Sequence, residues 1–303
     1  MSKTIRELYH DYMATSDKSQ REVALAVGVS DTRLSQWAND KYPGSNEKIE
    51  EMMEMFLSRE FTRQNNELEE NFVHTSQATE MTRIFNYCHT FQDMGAIYGS
   101  PGWGKTITSQ EYLRNHPDVI LLAAVKGFTR NAILLTIAQH LGMVSHLTGY
   151  RQFGLMVKAL KGTDRLLILD ESQFLGNDSL EVIRSLHDQS GIGVVYVGQP
   201  SLHRRMMNEE AEFFAQITSR LGVKLILDKP EFEDMKLIAE SFNVMDSAIH
   251  EYLWDVVTRD SWGGSYRRMA KLLKLAIRTS ARTKQDISIP FLKDVGRYMV
   301  HAD

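Results

Sequence analysis

The chain has 303 residues and a formal net charge of -4, with 43% hydrophobic and 24% charged residues, an ordinary globular make-up that suits about two domains. A single cysteine, Cys88, excludes an internal disulfide framework and a multi-cysteine metal site, and points to a reducing, cytoplasmic setting. No apolar run approaches the roughly 18 residues of a membrane span, the N-terminal MSKTIRELYHDYM lacks the apolar core of a signal peptide, and a pI near 6.2 leaves any nucleic-acid partner to be argued from local patches.

Residues 1–58 read as a small all-α domain. In QREVALAVGVSDTRLSQWAND, the small Ala24 suits a close approach of two helices, and Gly28 suits a turn of positive φ between them. Val23, Val27, Val29, Leu34 and Trp37 are spaced to bury one face, and Ser30 is the expected N-cap of the second helix. The second helix would expose Asp31, Thr32, Arg33, Ser35 and Gln36, with Arg33 and Gln36 the candidate DNA contacts in a major groove. Asp31, Asp40 and the run EKIEEMMEM repel phosphate and keep a helical protein-interaction domain open as the alternative. The methionines of EEMMEMF sit at helical spacing and are expected to pack a core. Residues 59–77 are polar and read as a linker or an exposed helix.

From residue 78 the pattern changes. Five short apolar runs, GAIYG, VILLAAV, RLLILD, GVVYVG and VKLIL, alternate with longer helical patterns. Runs apolar on both faces and separated by helices predict an α/β core over 78–229, built on a parallel five-stranded sheet. Residues 230–303 read as a helical domain throughout, except for a short extended DISIP.

The stretch between the first of those strands and its helix fits G-x-x-x-x-G-K-T: Gly99, Ser100, Pro101, Gly102, Trp103, Gly104, Lys105 and Thr106, followed by Ile107. Backbone N–H groups can surround a phosphate chain only where side chains do not block the approach, and glycines clear that space. The helix that follows adds its N-terminal N–H groups and positive dipole end. Lys105 can then reach the β- and γ-phosphates, and the Thr106 hydroxyl can ligate magnesium. RLLILDES places Asp170 and Glu171 at a strand end, where an open α/β sheet binds its ligands. Asp170 would hold the magnesium shell and Glu171 would polarise an attacking water. The pairing predicts a nucleoside triphosphatase using ATP and Mg2+.

Other positions carry two readings each. Gln199, at the tip of GVVYVGQP, is a γ-phosphate or water contact, or a turn residue. Arg220, at a helix end before VKLIL, reaches a neighbouring subunit's triphosphate, or is a helix C-terminal charge favoured by the dipole. Lys126, Thr129 and Arg130 open the helix after the second strand and Arg151 opens the next; cations there oppose the helix dipole and hint at a partner. WGGSYRRMAKLLKLA carries Arg267 and Arg268, one of which could fold back to the nucleotide; Arg267, Lys271, Lys274, Arg278 and Arg282 also recur every three or four residues, as a phosphate-tracking stripe or a solvated helix face.

Residues 78–300 resemble the AAA+ ATPases. Gly99–Thr106 looks like the Walker A loop, Leu166–Glu171 the Walker B strand, Gln199 the sensor-1 position (where Asn or Thr is commoner), Arg220 the arginine finger and the Arg267 of GSYR the sensor-2 arginine. The N-terminal stretch resembles Cro/C1-type helix-turn-helix repressor domains. A helix-turn-helix, a polar linker, one AAA+ module and a helical lid together resemble the phage Mu transposition protein B family. That resemblance implies ATP-dependent, largely sequence-nonspecific binding of double-stranded DNA and self-assembly into a homo-oligomeric ring or helical filament. It further implies delivery of target DNA to a transposase that the assembly stimulates. The AAA+ resemblance implies DNA contact by Lys126, Arg130 and Arg151, with Thr129 a further candidate beside them. Two further readings remain: a transcriptional regulator with a linked ATPase that binds one operator, or a transposon regulator that bridges a transposase and a target-recognition protein.

Overall fold

In the computed structural model, the five apolar runs form one sheet: β1 (Met94–Gly99), β2 (Ile120–Ala123), β3 (Leu166–Asp170), β4 (Gly193–Gly198) and β5 (Leu221–Leu227). All neighbours are parallel and the order is β2-β3-β4-β1-β5. The structure describes residues 4–65, 72–143, 149–207, 212–259 and 265–299. They fall into two compact units, Met1–Glu70 and Asn71–Asp303.

The first unit is helical: α1 (Ile5–Thr15), α2 (Gln20–Val27), α3 (Asp31–Ala38) and α4 (Glu47–Asn65). Thr4 with Glu7, and Ser19 with Glu22, form reciprocal capping boxes that satisfy the first N–H groups of α1 and α2. Gly28 ends α2 at φ 84, and the next residue already bonds back to Ala24. That left-handed step turns the chain into α3, which Ser30 caps. Val23, Leu34 and Trp37 are fully buried with Tyr9, Tyr12, Ile49 and Met53, while Val29 is only partly so. Met53 packs as expected, but Met55 is 53% exposed, because the α4 core face does not extend round to it. The helix also runs to Asn65, beyond residue 58. Buried Glu60 accepts hydrogen bonds from Tyr12 Oη (2.8 Å) and Lys18 Nζ (2.7 Å), partners supplied by α1 and the connection that follows it.

In the second unit, successive sheet residues face opposite layers. Ile97, Leu166, Ile168, Val195 and Val197 pack with α5 (Ser76–Phe91) and α6 (Lys105–Asn115). Ala96, Tyr98, Leu167, Leu169, Val194 and Tyr196 face α7 (Arg130–His140), α8 (Gly149–Leu160), α9 (Asn177–Ser190), α10 (Pro200–Met206) and α11 (Glu212–Thr218). A separate core, including Met235, Leu253, Met269, Leu273 and Leu292, joins α12 (Phe232–Ser241), α13 (Ser247–Thr258), α14 (Tyr266–Thr283) and α15 (Ile289–Gly296). DISIP forms no strand; its Ser288 caps α15 and its proline lies in the first turn.

The start of α5 falls within the stretch read as linker, and the helical layer holds it. Buried Asp234 of α12 accepts from Ser76 N (2.6 Å), Gln77 N (3.2 Å) and Ser76 Oγ (3.0 Å). A carboxylate over a helix N-terminus answers both the orphan N–H groups and the dipole.

Candidate nucleotide-binding site

Because every strand is parallel, every carboxyl end lies along one edge of the sheet. Gly99 closes β1, and the loop delivers the chain into α6 at Lys105. Gly102 and Gly104 both sit at φ 84, a conformation that side-chain-bearing residues disfavour and that glycine-rich phosphate loops use. Lys105 is buried and its Nζ donates to the carbonyls of Gly99 (2.7 Å) and Ser100 (2.8 Å). Burial pulls its pKa down, the carboxylates of Glu171 and Asp170 oppose that, and Arg267 reinforces it. The Trp103 side chain is buried in the layer with α5 and α6, whereas Ile107 is exposed.

Thr106 Oγ1 donates to Asp170 Oδ2 at 2.6 Å, which brings together the two residues assigned to a metal. Burial raises the Asp170 pKa; the Thr106 hydroxyl and the Glu171 N–H work against that. Among the described residues no group of three or more His, Cys, Asp or Glu side chains could hold a metal ion. A magnesium ion here would take one carboxylate and one hydroxyl from the protein and the rest from phosphates and water, which is how that ion is commonly held beside nucleotides. A buried lysine, a glycine loop in the left-handed conformation and a hydroxyl–carboxylate pair together fit a magnesium triphosphate.

Gln199 follows β4, the strand between β1 and β3, so it lies at the same edge as the loop and Asp170. Glu171 follows Asp170 in the left-handed region at φ 53. The helical layer reaches the loop through its backbone: Arg267 N donates to Gly102 O at 3.1 Å. The glycine of the GSYR motif, Gly264, lies outside the described residues.

Arg220 does not join this edge. It precedes β5, whose Leu221 pairs with Met94 at the amino end of β1, while Leu227 pairs with Gly99. A strand of this length puts it about 20 Å from its own loop. There it pairs with Asp188 at 3.1 Å, half-exposed. Lys126, Thr129 and Arg130 are exposed on the connection after the edge strand β2, but the Thr129 hydroxyl is taken up as the N-cap of α7. Arg151 is exposed in the first turn of α8 beside Tyr150, itself 89% exposed. Gln36 is exposed, whereas Arg33 is half-buried with its guanidinium over Tyr42. Arg267, Lys271, Arg278 and Arg282 are exposed along α14 and Lys274 is half-buried.

Two residues at this edge escaped sequence reasoning. Gln173, two positions after Glu171, donates through Nε2 to the Glu171 carboxylate and accepts from Gln199 N at 3.1 Å. Arg205 of α10 donates to the carbonyls of Gln173 (3.0 Å) and Leu175 (3.1 Å). The polar residue in DESQF was a faint signal for the first; nothing local marks the second.

The AAA domain family model matches residues 89–206. The chain is 26% identical over 284 residues to the "ATP-dependent target DNA activator B" of Escherichia phage Mu, covering 91% of this chain and 89% of that one. It is 26% identical over 241 residues to the "Mu-like prophage FluMu DNA transposition protein B" of Haemophilus influenzae, covering 77% and 83%. Domain III of the Thermotoga maritima replication initiation protein DnaA shares the fold, with a TM-score of 0.50 at 16% identity over 75% of this chain and 93% of that one. Residues 89–206 thus match the AAA domain family, within a chain of P-loop fold that is similar over most of its length to the target DNA activators B of phages Mu and D108.

Proposed function

We propose that this chain is a Mg2+-dependent ATPase that binds double-stranded DNA with little sequence preference, assembles on it as a ring or filament, and delivers it to a transposase that it stimulates. The observation that carries the reading is the shared carboxyl edge. Lys105, Thr106, Asp170, Glu171 and Gln199 follow three strand ends on the sheet edge that carries the glycine loop, which supports this reading. The similarity to proteins named as target DNA activators supplies the transposition context.

In this reading the loop N–H groups and Lys105 hold the triphosphate, and Thr106 and Asp170 hold the magnesium, which neutralises charge on the phosphates. Glu171 accepts the proton of the attacking water, and Gln199 contacts the γ-phosphate or that water. Arg220 lies too far from its own loop to serve it, so it would complete the site of a neighbouring copy after exchanging its contact with Asp188. That arrangement ties hydrolysis to assembly. Lys126, Arg130, Tyr150 and Arg151 are exposed and offer charge and one aromatic ring to DNA.

Electron microscopy with duplex DNA, with and without ATP, tests this. Assemblies that form only with ATP, and that Lys105→Ala abolishes along with nucleotide binding, are expected. A chain that stays monomeric in both conditions refutes the proposal. The capped α2–Gly28–α3 turn favours a second reading, an operator-binding regulator. A footprint at one defined sequence would select it.

A further inference from the structure

Glu171 is an unusual place to find a general base at rest. Its backbone is held at φ 53 and ψ 34, a conformation that costs a side-chain-bearing residue about 1–2 kcal/mol. Its neighbours over-determine it: Glu171 N donates to Asp170 Oδ1 at 2.8 Å, and Phe174 N donates to Glu171 O at 3.0 Å. The carboxylate is held as well, by the Gln173 side-chain amide in the 3₁₀ turn Ser172–Phe174. The other end of that amide accepts from Gln199 N, at the cap of α10. Only one orientation of the amide works. Flipped, its oxygen would face the carboxylate and its NH2 would face the Gln199 N–H. Arg205, also on α10, grips the carbonyls of Gln173 and Leu175 and extends to Asn177 Oδ1 at 3.4 Å. The turn carrying Glu171 is therefore clamped from one side by one short helix, and the amide of Gln173 is the link between base and clamp.

We infer that Gln173 is a positioning residue for ATP hydrolysis: its amide aims the Glu171 carboxylate and ties it to the cap of α10 at Gln199. This rests on the reading of Glu171 as the base. Gln173 does not touch the nucleotide in this scheme and moves no proton. It acts by fixing one carboxylate oxygen, which leaves the other to accept from water. A general base typically contributes 10²–10⁴-fold to a rate, and an aimed base that loses its aim forfeits part of that.

The test is steady-state ATP hydrolysis by the full chain with DNA, together with ATP binding at equilibrium. Gln173→Ala is expected to lower kcat by about tenfold, with KM and ATP affinity within about twofold of wild type. Gln173→Glu keeps the volume and the acceptor for Gln199 N but sets a carboxylate against a carboxylate, so it is expected to lose at least as much. In a Glu171→Gln background, adding Gln173→Ala should cause no further loss, because there is no base left to aim. Wild-type kcat in Gln173→Glu, or a full additional loss in the Glu171→Gln background, overturns the inference. A wild-type chain that binds ATP without hydrolysing it defeats the reading of Glu171 itself, a different result from active wild type with indifferent Gln173 variants.

Discussion

Gly102 and Gly104 allow a controlled test of how the helical layer sits on the phosphate loop. Both lie in one loop at φ 84, so alanine at either meets the same backbone strain, about 1–2 kcal/mol, partly offset by a stiffer unfolded chain. Their surroundings differ. A Cβ on Gly104 would find its nearest atoms at 3.9 Å and 4.0 Å, ordinary contact. A Cβ on Gly102 would lie 2.6 Å from Ser265 Oγ, 2.7 Å from Ser265 Cβ and 3.1 Å from Arg267 Cβ. Ser265 cannot swing away, because it is the N-cap of α14 and its Cβ is fixed by the backbone. The wedge also strips the Arg267 N to Gly102 O hydrogen bond. Overpacking costs about 1–3 kcal/mol and the lost bond about 1 kcal/mol, so Gly102→Ala should be about 2–4 kcal/mol worse than Gly104→Ala. At an m-value of about 3 kcal/mol/M that separates the urea midpoints by about 1 M. The sole cysteine gives the readout: Cys88 is fully buried in the second unit, so its labelling by a thiol reagent reports the unfolding of that unit alone. A midpoint for Gly102→Ala equal to or above that of Gly104→Ala would refute the close docking of α14 on the loop.

Three other outcomes follow from the same geometry. Asp234→Ala removes the acceptor for two backbone N–H groups at the start of α5 and should cost about 2–4 kcal/mol in the second unit, read by Cys88 protection. Gly28→Ala has nothing within 4 Å of the new Cβ, so only strain remains, and the first unit should lose about 1–2 kcal/mol when its own unfolding is followed. Burial, with Asp93 nearby, pushes the Cys88 thiol from 9.0 up to about 12. Burial likewise pushes Tyr112 from 10.0 to about 12, with Asp118 adding to it. Both folded values lie above the unfolded ones, so their stabilisation is complete below about pH 9 and drains away as pH rises toward 12. A denaturation midpoint that holds level from pH 9 to pH 11 would contradict this.

The glycine loop, the five strands, the Gly28 turn and the Ser30 cap were all readable in the amino-acid sequence. Each depends on interactions over a few residues: side-chain period, helix caps, and the φ that a glycine permits. The Asp170–Glu171 pair was readable for the same reason, as a polar tip on an apolar strand. What was not readable depends on partners far apart in the chain. Gln173 meets Gln199 across 26 residues, Arg205 meets the Gln173 carbonyl across 32, and Asp234 caps α5 across 158. Arg220 shows the same divide. Its position at a helix end was plain, but its distance from its own loop follows from the parallel pairing of β5 with β1. Local chemistry specifies which element forms and where it stops; which side chains then meet is settled by the order and direction in which the elements pack, and that order is a property of the whole buried core.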